Sequence, residues 1–310
     1  MKMLPVLMLG VWLTFPKAVV SAEAAAMKVR SLGINGFEIK AGGKTLLIDP
    51  YVSRDHRRVS IPEVVRKHIK QADYIILTHS HWDHLADVPE IATYTDAVIA
   101  GSATTLNICR YHRIAESRLL QYEDRRPIDL GNFTVTPIPS KHKEPVGYPG
   151  RCDQIPIKID DVSDYVEGGT WALLVTVGGA TVLNVGSANL IDKELQGIKC
   201  DYLLASISGR DSDYLPRLLQ CVDAKVFIPT HWDNFFGHPV EKPGERVNLS
   251  VFQQEMKEVA PAQRVQVLGV LESLQFSVQS TDSNWMLHEI GTSERLKRTL
   301  GAAALDMDQD

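Results

Sequence analysis

The chain has 310 residues and no pair of cysteines at metal-ribbon or redox spacing. Cys109, Cys152, Cys200 and Cys221 lie far apart, which excludes a zinc ribbon or a Cys-x-x-Cys thiol centre. They read either as one or two disulfides of an exported protein or as four partly buried thiols. A basic stripe or arm is missing too. Lys and Arg are scattered and the formal net charge is −5, so electrostatics gives no case for a nucleic-acid partner. The apolar run Leu4 to Phe15, broken by Pro16 and Lys17, falls short of the roughly 20 residues that a bilayer span needs, which excludes a stable membrane span there. No internal repeat or low-complexity linker divides the chain. The pair Gly186-Ser187 lacks the Gly-x-Ser-x-Gly elbow of a serine nucleophile.

What is present begins with a leader. Lys2, the apolar run and the small-x-small pattern Ala22-Glu23-Ala24 read as a signal peptide over residues 1–26, which implies a secreted or periplasmic protein. Translation starting at Met27, whose Lys28-Val29-Arg30 resembles the start of a strand, would instead leave the protein cytoplasmic. With 44% hydrophobic and 23% charged residues, the rest can bury a full core. A single folded domain over 27–290 and a fraying tail over 291–310 are expected.

Short β-rich runs alternate with helical ones. Thr45 to Asp49 and Asp73 to Thr78 are apolar runs ending on a polar residue, as buried strands do. Between them, Ser60 and Glu63 have capping-box spacing for a helix through Lys70. Further strands are expected at 97–100, 133–138, 171–177, 181–185, 202–206 and 225–229, with a hairpin turn at Gly178-Gly179. Helices are expected at 102–111, 213–221 and 250–259, the last with Val251, Phe252, Met256 and Val259 on one apolar face. The mixture is α/β. The irregular stretch from Lys143 to Gly169 is either a lid or a surface insertion.

The run His79-Ser80-His81-Trp82-Asp83-His84 places three histidines and an aspartate on one loop after a strand. Imidazole suits zinc, iron and manganese. Crowding of this kind points to metal binding, whereas His56, His68, His112 and His288 fall on polar stretches where exposure is the default.

The run resembles the His-x-His-x-Asp-His signature of the metallo-β-lactamase superfamily. Leu47-Ile48-Asp49-Pro50, His142 after Pro139-Ser140-Lys141, and His231 in Ile228-Pro229-Thr230-His231-Trp232 stand where that family has its other site residues, so the resemblance covers about residues 28 to 275. It implies a four-layer αββα sandwich and a metal-dependent hydrolase. It also implies a first metal site of His79, His81 and His142 and a second of Asp83, His84 and His231, each leaving open positions for water and substrate. A dication held by three neutral imidazoles keeps its charge and acidifies water, which points to metal-assisted hydrolysis. Zn(2+) is the expected ion, one or two per chain, with Mn(2+) or Fe as alternatives. Asp83 is the candidate catalytic proton acceptor. Asp49 is expected to orient the ligand loop or to cap its strand, and Asp233 to hold a ligating histidine.

Two positions depart from the family pattern. Ser187 stands where an aspartate usually bridges the two metals, so a second ion should bind more weakly or need a bridge from solvent or substrate. Ile34-Asn35-Gly36-Phe37 replaces a glycine-histidine pair common in the branch that the chain is most similar to, which contains ascorbate-6-phosphate lactonase and N-acyl-phosphatidylethanolamine phospholipase D. The reaction class implied is hydrolysis of an ester, lactone or phosphodiester in a small-molecule or lipid-like substrate. Two other readings on the same fold are a metal-binding protein with impaired catalysis and an iron-dependent redox protein. Lys141, Tyr148 and His238 lie near ligands in sequence and are weaker candidates for substrate contact.

Overall fold

Two sheets, each covered on its outer face by helices, set up the site. The computed structural model describes residues 27–55 and 60–276. The expected signal peptide, the tail after residue 290, His56 and His288 lie outside them. Strands β1 (Met27–Gly33), β2 (Gly36–Ala41) and β3 (Lys44–Ile48) run as an antiparallel meander. Helix α1 (Pro62–His68) then carries the chain to β4 (Tyr74–Ile76), parallel to β3. Helices α2 (Trp82–Leu85) and α3 (Val88–Tyr94) lead to β5 (Val98–Gly101), and α4 (Ala103–Tyr111) leads to β6 (Leu119–Gln121), both added in parallel.

The second sheet starts with β7 (Ile128–Asp129), β8 (Phe133–Ser140), β9 (Thr170–Val177) and β10 (Ala180–Val185), antiparallel in turn. Helices α5 (Asp192–Leu195) and α6 (Tyr214–Cys221) alternate with β11 (Ile198–Ser206) and β12 (Val222–Thr230), which extend it in parallel. A small ribbon of β13 (Asp233–Asn234) and β14 (Gly244–Glu245), then α7 (Leu249–Val259), precede β15 (Ser273–Phe276), which returns to pair with β1. The sheet orders are β15-β1-β2-β3-β4-β5-β6 and β12-β11-β10-β9-β8-β7.

Alternation along the strands builds the layers, because successive side chains point to opposite faces. Leu46 and Ile48 enter a core between the sheets with Ile76, Leu173, Val182, Leu204 and Ile228. Their neighbours Leu47 and Ile75 face the other way, into a second core with Val65, Ile91 and Leu106 of the covering helices. On the second sheet Leu183, Leu203 and Phe227 face out against Leu215, Leu218, Phe252 and Met256. Helix, sheet, sheet, helix is the resulting order, the αββα sandwich. Continuous apolar runs such as Leu46-Leu47-Ile48 are what a strand buried on both faces requires.

Several local expectations are corrected. Helix α1 is capped by the backbone of Ile61, not by the Ser60 side chain, and ends at His68. Pro62 supplies a preset φ at the first helical position, which sets the start there. In α7 only Phe252 and Met256 are buried, while Val251 and Val259 are exposed. His68 is buried against Glu241, with Nε2 2.8 Å from its carboxylate. All four cysteines are free thiols, three of them buried. Among the described residues no helix is long and apolar enough to cross a membrane.

Candidate metal centre

Every candidate residue follows the C-terminal end of a strand. Strands β10, β11 and β12 are parallel, and β8 is two antiparallel pairings away from β10, so these four run the same way. Their ends deliver His142, Ser187, Ser206 and His231 to one edge. The parallel ends of β3 and β4 deliver Asp49 and the ligand run to the facing edge. Carboxyl ends of strands in open α/β sheets are where clefts form.

The structure brings His79, His81 and His142 together, and beside them Asp83, His84 and His231. Within each set one donor atom per residue lies within 4.8 Å of the others. His79 links the sets: its ring centroid is 3.9 Å from His84 and 5.1 Å from His142. His81 precedes α2, and Asp83 and His84 lie in that single turn, so one short element aims three ligands.

Hydrogen bonds fix which nitrogen of each ring is free. His142 Nδ1 faces the Lys143 carbonyl at 2.9 Å, so it carries the proton and Nε2 keeps its lone pair. The same logic puts a proton on His84 Nδ1, 2.8 Å from Asp49 Oδ2. His81 Nε2 faces the Tyr148 carbonyl at 3.4 Å, which leaves Nδ1. For His79 the relay has two steps. The Thr78 hydroxyl must donate to the Asp49 carboxylate at 2.5 Å, so its oxygen accepts from His79 Nδ1 at 3.1 Å. His79 Nε2 is then left buried without a partner among the described residues, as is Nδ1 of His231. An orphaned buried imidazole nitrogen facing other ligand atoms is the condition that a metal ion resolves.

Electrostatics agrees with the donor set. Burial, reinforced by neighbouring histidines, holds His79 well below its ordinary range, and burial lowers His81 as well. Burial and the nearby His81 bring His142 down to about 3. For Asp83, burial alone would raise the carboxyl, but His84, His231 and His81 together outweigh it and keep it below the carboxylate range. For His84, burial is overcome by the carboxylates of Asp49 and Asp83, which raise it. The neutral imidazoles of His79, His81 and His142, with the ionised carboxylate of Asp83 beside them, suit a divalent ion such as zinc.

Asp49 does more than cap β3. It takes bonds from Thr78 N, Thr78 Oγ1, His84 Nδ1 and Asn35 Nδ2 at 2.5–2.8 Å. Asn35 also donates to Asn184 Oδ1 at 2.8 Å and accepts from Thr230 Oγ1 at 2.9 Å, so the turn after β1 joins both sheets beneath the site. Among the described residues Asp233 forms no hydrogen bond or ion pair with a candidate ligand histidine. It forms a buried ion pair with Arg54 at 2.5 Å and takes the Ile34 N–H, while the Ile34 carbonyl accepts from His231 N. It therefore positions His231 through the backbone. Ser187 lies in the cavity with its hydroxyl accepting from Lys143 N at 3.0 Å. Gly186 backs onto Thr78 so closely that a Cβ there would lie 2.2 Å from the Thr78 hydroxyl.

Trp82, Phe235 and Phe236 wall a cavity of about 200 Å³ that also meets Lys143, Tyr148 and Arg246. The stretch from Lys143 to Gly169 is tied to the ligand loop through Ser80 N to Glu167 O and Glu167 N to Tyr148 O, both 2.9 Å. Lys141 and His238 do not line this cavity, whereas Tyr148 does. Sequence reasoning did not single out Thr78, Lys143 or Arg246, and it named Asn35 only within a departure from the family pattern. Thr78 and Lys143, each next to a candidate ligand, carried a signal that could have found them.

A sequence model of the metallo-β-lactamase superfamily matches residues 30–183, a span that contains the ligand run and His142. The chain belongs to the metallo-β-lactamase superfamily. A UPF0173 protein of Pyrococcus abyssi is 26% identical over 223 residues, 69% of this chain and 88% of the relative. A UPF0173 metal-dependent hydrolase of Staphylococcus aureus is 24% identical over 260 residues, 81% of this chain and 100% of the relative. Among solved structures, a metallo hydrolase from the hyperthermophilic archaeon Ignicoccus hospitalis matches with a TM-score of 0.59 at 18% identity, covering 82% of this chain and 100% of that one. The chain is a metal-dependent hydrolase of the metallo-β-lactamase superfamily.

Proposed function

We propose that this hydrolase cleaves an ester, lactone or phosphodiester of a small molecule, with zinc as its ion. The observation that carries the reading is the orphaned Nε2 of His79, buried beside His81 and His142, whose imidazoles burial holds toward the neutral form. His79, His81 and His142 are assigned to the first ion, and Asp83, His84 and His231 to a second. A divalent ion held there supplies Lewis acidity and a nucleophile drawn from water. The chain's residues do the rest. Asp49 and Thr78 hold the ligand tautomers, Trp82, Phe235 and Phe236 exclude bulk water, and Asp83, ionised and 3.4 Å from His231 Nε2, accepts a proton at its carboxylate.

Ser187 supports tight binding of one ion and weaker binding of the second, because a hydroxyl engaged with Lys143 N brings no negative charge between them. The cavity, at about 200 Å³, is below the roughly 300–1,000 Å³ of drug-sized pockets and favours a small substrate over a lipid. The leader sequence supports export, tested by N-terminal sequencing of protein from a native fraction.

Metal analysis, with hydrolysis of a panel of esters, lactones and phosphodiesters with and without chelator, tests the reading. Chelator-sensitive turnover of one class is the expected result, and hydrolysis unaffected by chelator would overturn it. His81→Ala is expected to remove the tightly bound ion, read as metal content per chain.

A further inference from the structure

Two cations, Lys143 and Arg246, line this cavity, and among the described residues no carboxylate forms an ion pair with either. The single acid in the lining is Asp83, which faces His84 and His231. The chain as a whole carries a formal net charge of −5, so a positive lining runs against the average of the molecule. The other large cavity, about 370 Å³, is lined by Glu90, Asp160 and Asp161 and by no Lys or Arg. Exposed basic side chains are therefore not a general property of the clefts in this fold.

Lys143 is also held in place. Its N–H donates to Ser187 Oγ at 3.0 Å and its carbonyl takes His142 Nδ1 at 2.9 Å, so the backbone is fixed from both sides. Its stem lies across Gly209, where a Cβ would come within 2.8 Å of Lys143 Cδ and 3.6 Å of Nζ. Gly209 has a φ of +73° and follows Ser206 and Ser208, which share the cavity wall. A glycine there leaves room for the ammonium beside those hydroxyls. Arg246 is held differently, its guanidinium carbon lying 5.8 Å from the Phe235 ring centroid and 5.4 Å from that of Phe236. Stacking on aromatic faces orients the planar fork and leaves its N–H edge open for an acceptor.

We propose that the substrate carries an anionic group, a carboxylate or a phosphate, bound by Lys143 and Arg246 beside the scissile bond. The proposal rests on the hydrolase reading above for the position of that bond. Ser187 fits it: the position where relatives of the superfamily place a metal-bridging carboxylate here fastens a cation, which raises the positive field that an incoming anion meets. Ammonium and guanidinium play separate roles, a point charge and a planar fork, so one anion can satisfy both.

The test uses the full chain stripped of metal by chelator at pH 8, with succinate and inorganic phosphate as probes and succinamide as the neutral control, read by calorimetry. One of the two anions is expected to bind in a salt-sensitive way while succinamide does not, and the anion that binds names the group. Lys143→Gln and Arg246→Gln should each weaken that binding by about tenfold, the size of one lost charge-assisted contact, and Lys143→Arg should restore most of it. If neither anion binds, or if both variants bind as the unchanged protein does, the proposal is overturned. On metal-loaded protein, the ratio of kcat/KM for 4-nitrophenyl hydrogen succinate over 4-nitrophenyl acetate is expected to exceed ten and to fall about tenfold in each variant. Absence of turnover of either ester with anion binding intact would count against ester hydrolysis and not against the anion site.

Discussion

Thr78 holds a carboxylate and an imidazole of the site in register with a single hydroxyl: it donates to Asp49 and accepts from His79 Nδ1. Thr78→Val keeps the branched shape and removes both bonds. Metal affinity at the three-histidine site is expected to fall about 10–100-fold, measured by competition with a chromophoric chelator, and Thr78→Ser should retain it. Ser187→Asp places a carboxylate where the two ligand sets meet and is expected to raise tightly held metal from one ion per chain to two, counted by elemental analysis. The clustering of the candidate ligands was legible in the sequence, because four of the six lie within six consecutive residues. Asn35 was not, since its contacts with Asn184 and Thr230 span 149 and 195 positions of chain and no local pattern records them.

At the scale of elements, the segment after β12 is held to the segment after β3 by a buried ion pair, and to the turn after β1 by the Ile34 N–H bond to Asp233. The Arg54 and Asp233 side chains are 0% and 1% exposed, and among the described residues each is the other's ion-pair partner. Asp233→Ala leaves a buried guanidinium without its carboxylate, which costs about 3–5 kcal/mol, read as a lower denaturant midpoint for the metal-loaded protein. The same change frees Ile34 and with it the anchor of His231, so the second ligand set should loosen. Strands such as β3, β4, β10 and β12 were readable from their β-branched runs. Strand β15 was not: it is four residues long and is defined by its pairing with β1 across nearly the whole described chain. Local propensity also misplaced the start of α1, where Pro62 overrode the capping spacing of Ser60.

For the whole molecule, the buried imidazoles tie stability to pH. In the unfolded chain a histidine titrates near 6.5, whereas His142 falls to about 3 and His79 and His81 are also lowered when folded. The unfolded state therefore binds more protons below pH 6.5. Stability of the metal-free protein is full above that pH and declines as pH falls toward 3, by about 1.4 kcal/mol per pH unit for each such group. His84, raised by Asp49 and Asp83, acts in the opposite direction but is outnumbered. Urea unfolding of chelated protein at pH 7.5 and 5.5 should show the decline, and a flat profile would contradict neutral buried imidazoles. The runs showed only a mixed α/β chain, and the αββα order came from the resemblance carried by the ligand run; the strands buried on both faces agree with it, because each sheet is covered on each side. Which strand ends converge on one edge came only from the parallel pairings.

Each ligand set straddles the seam between the two sheets: His79 and His81 wait for His142, and Asp83 and His84 wait for His231. A chain in which only one sheet has formed offers no complete triad. The donor geometry therefore exists only in molecules whose two halves have already docked.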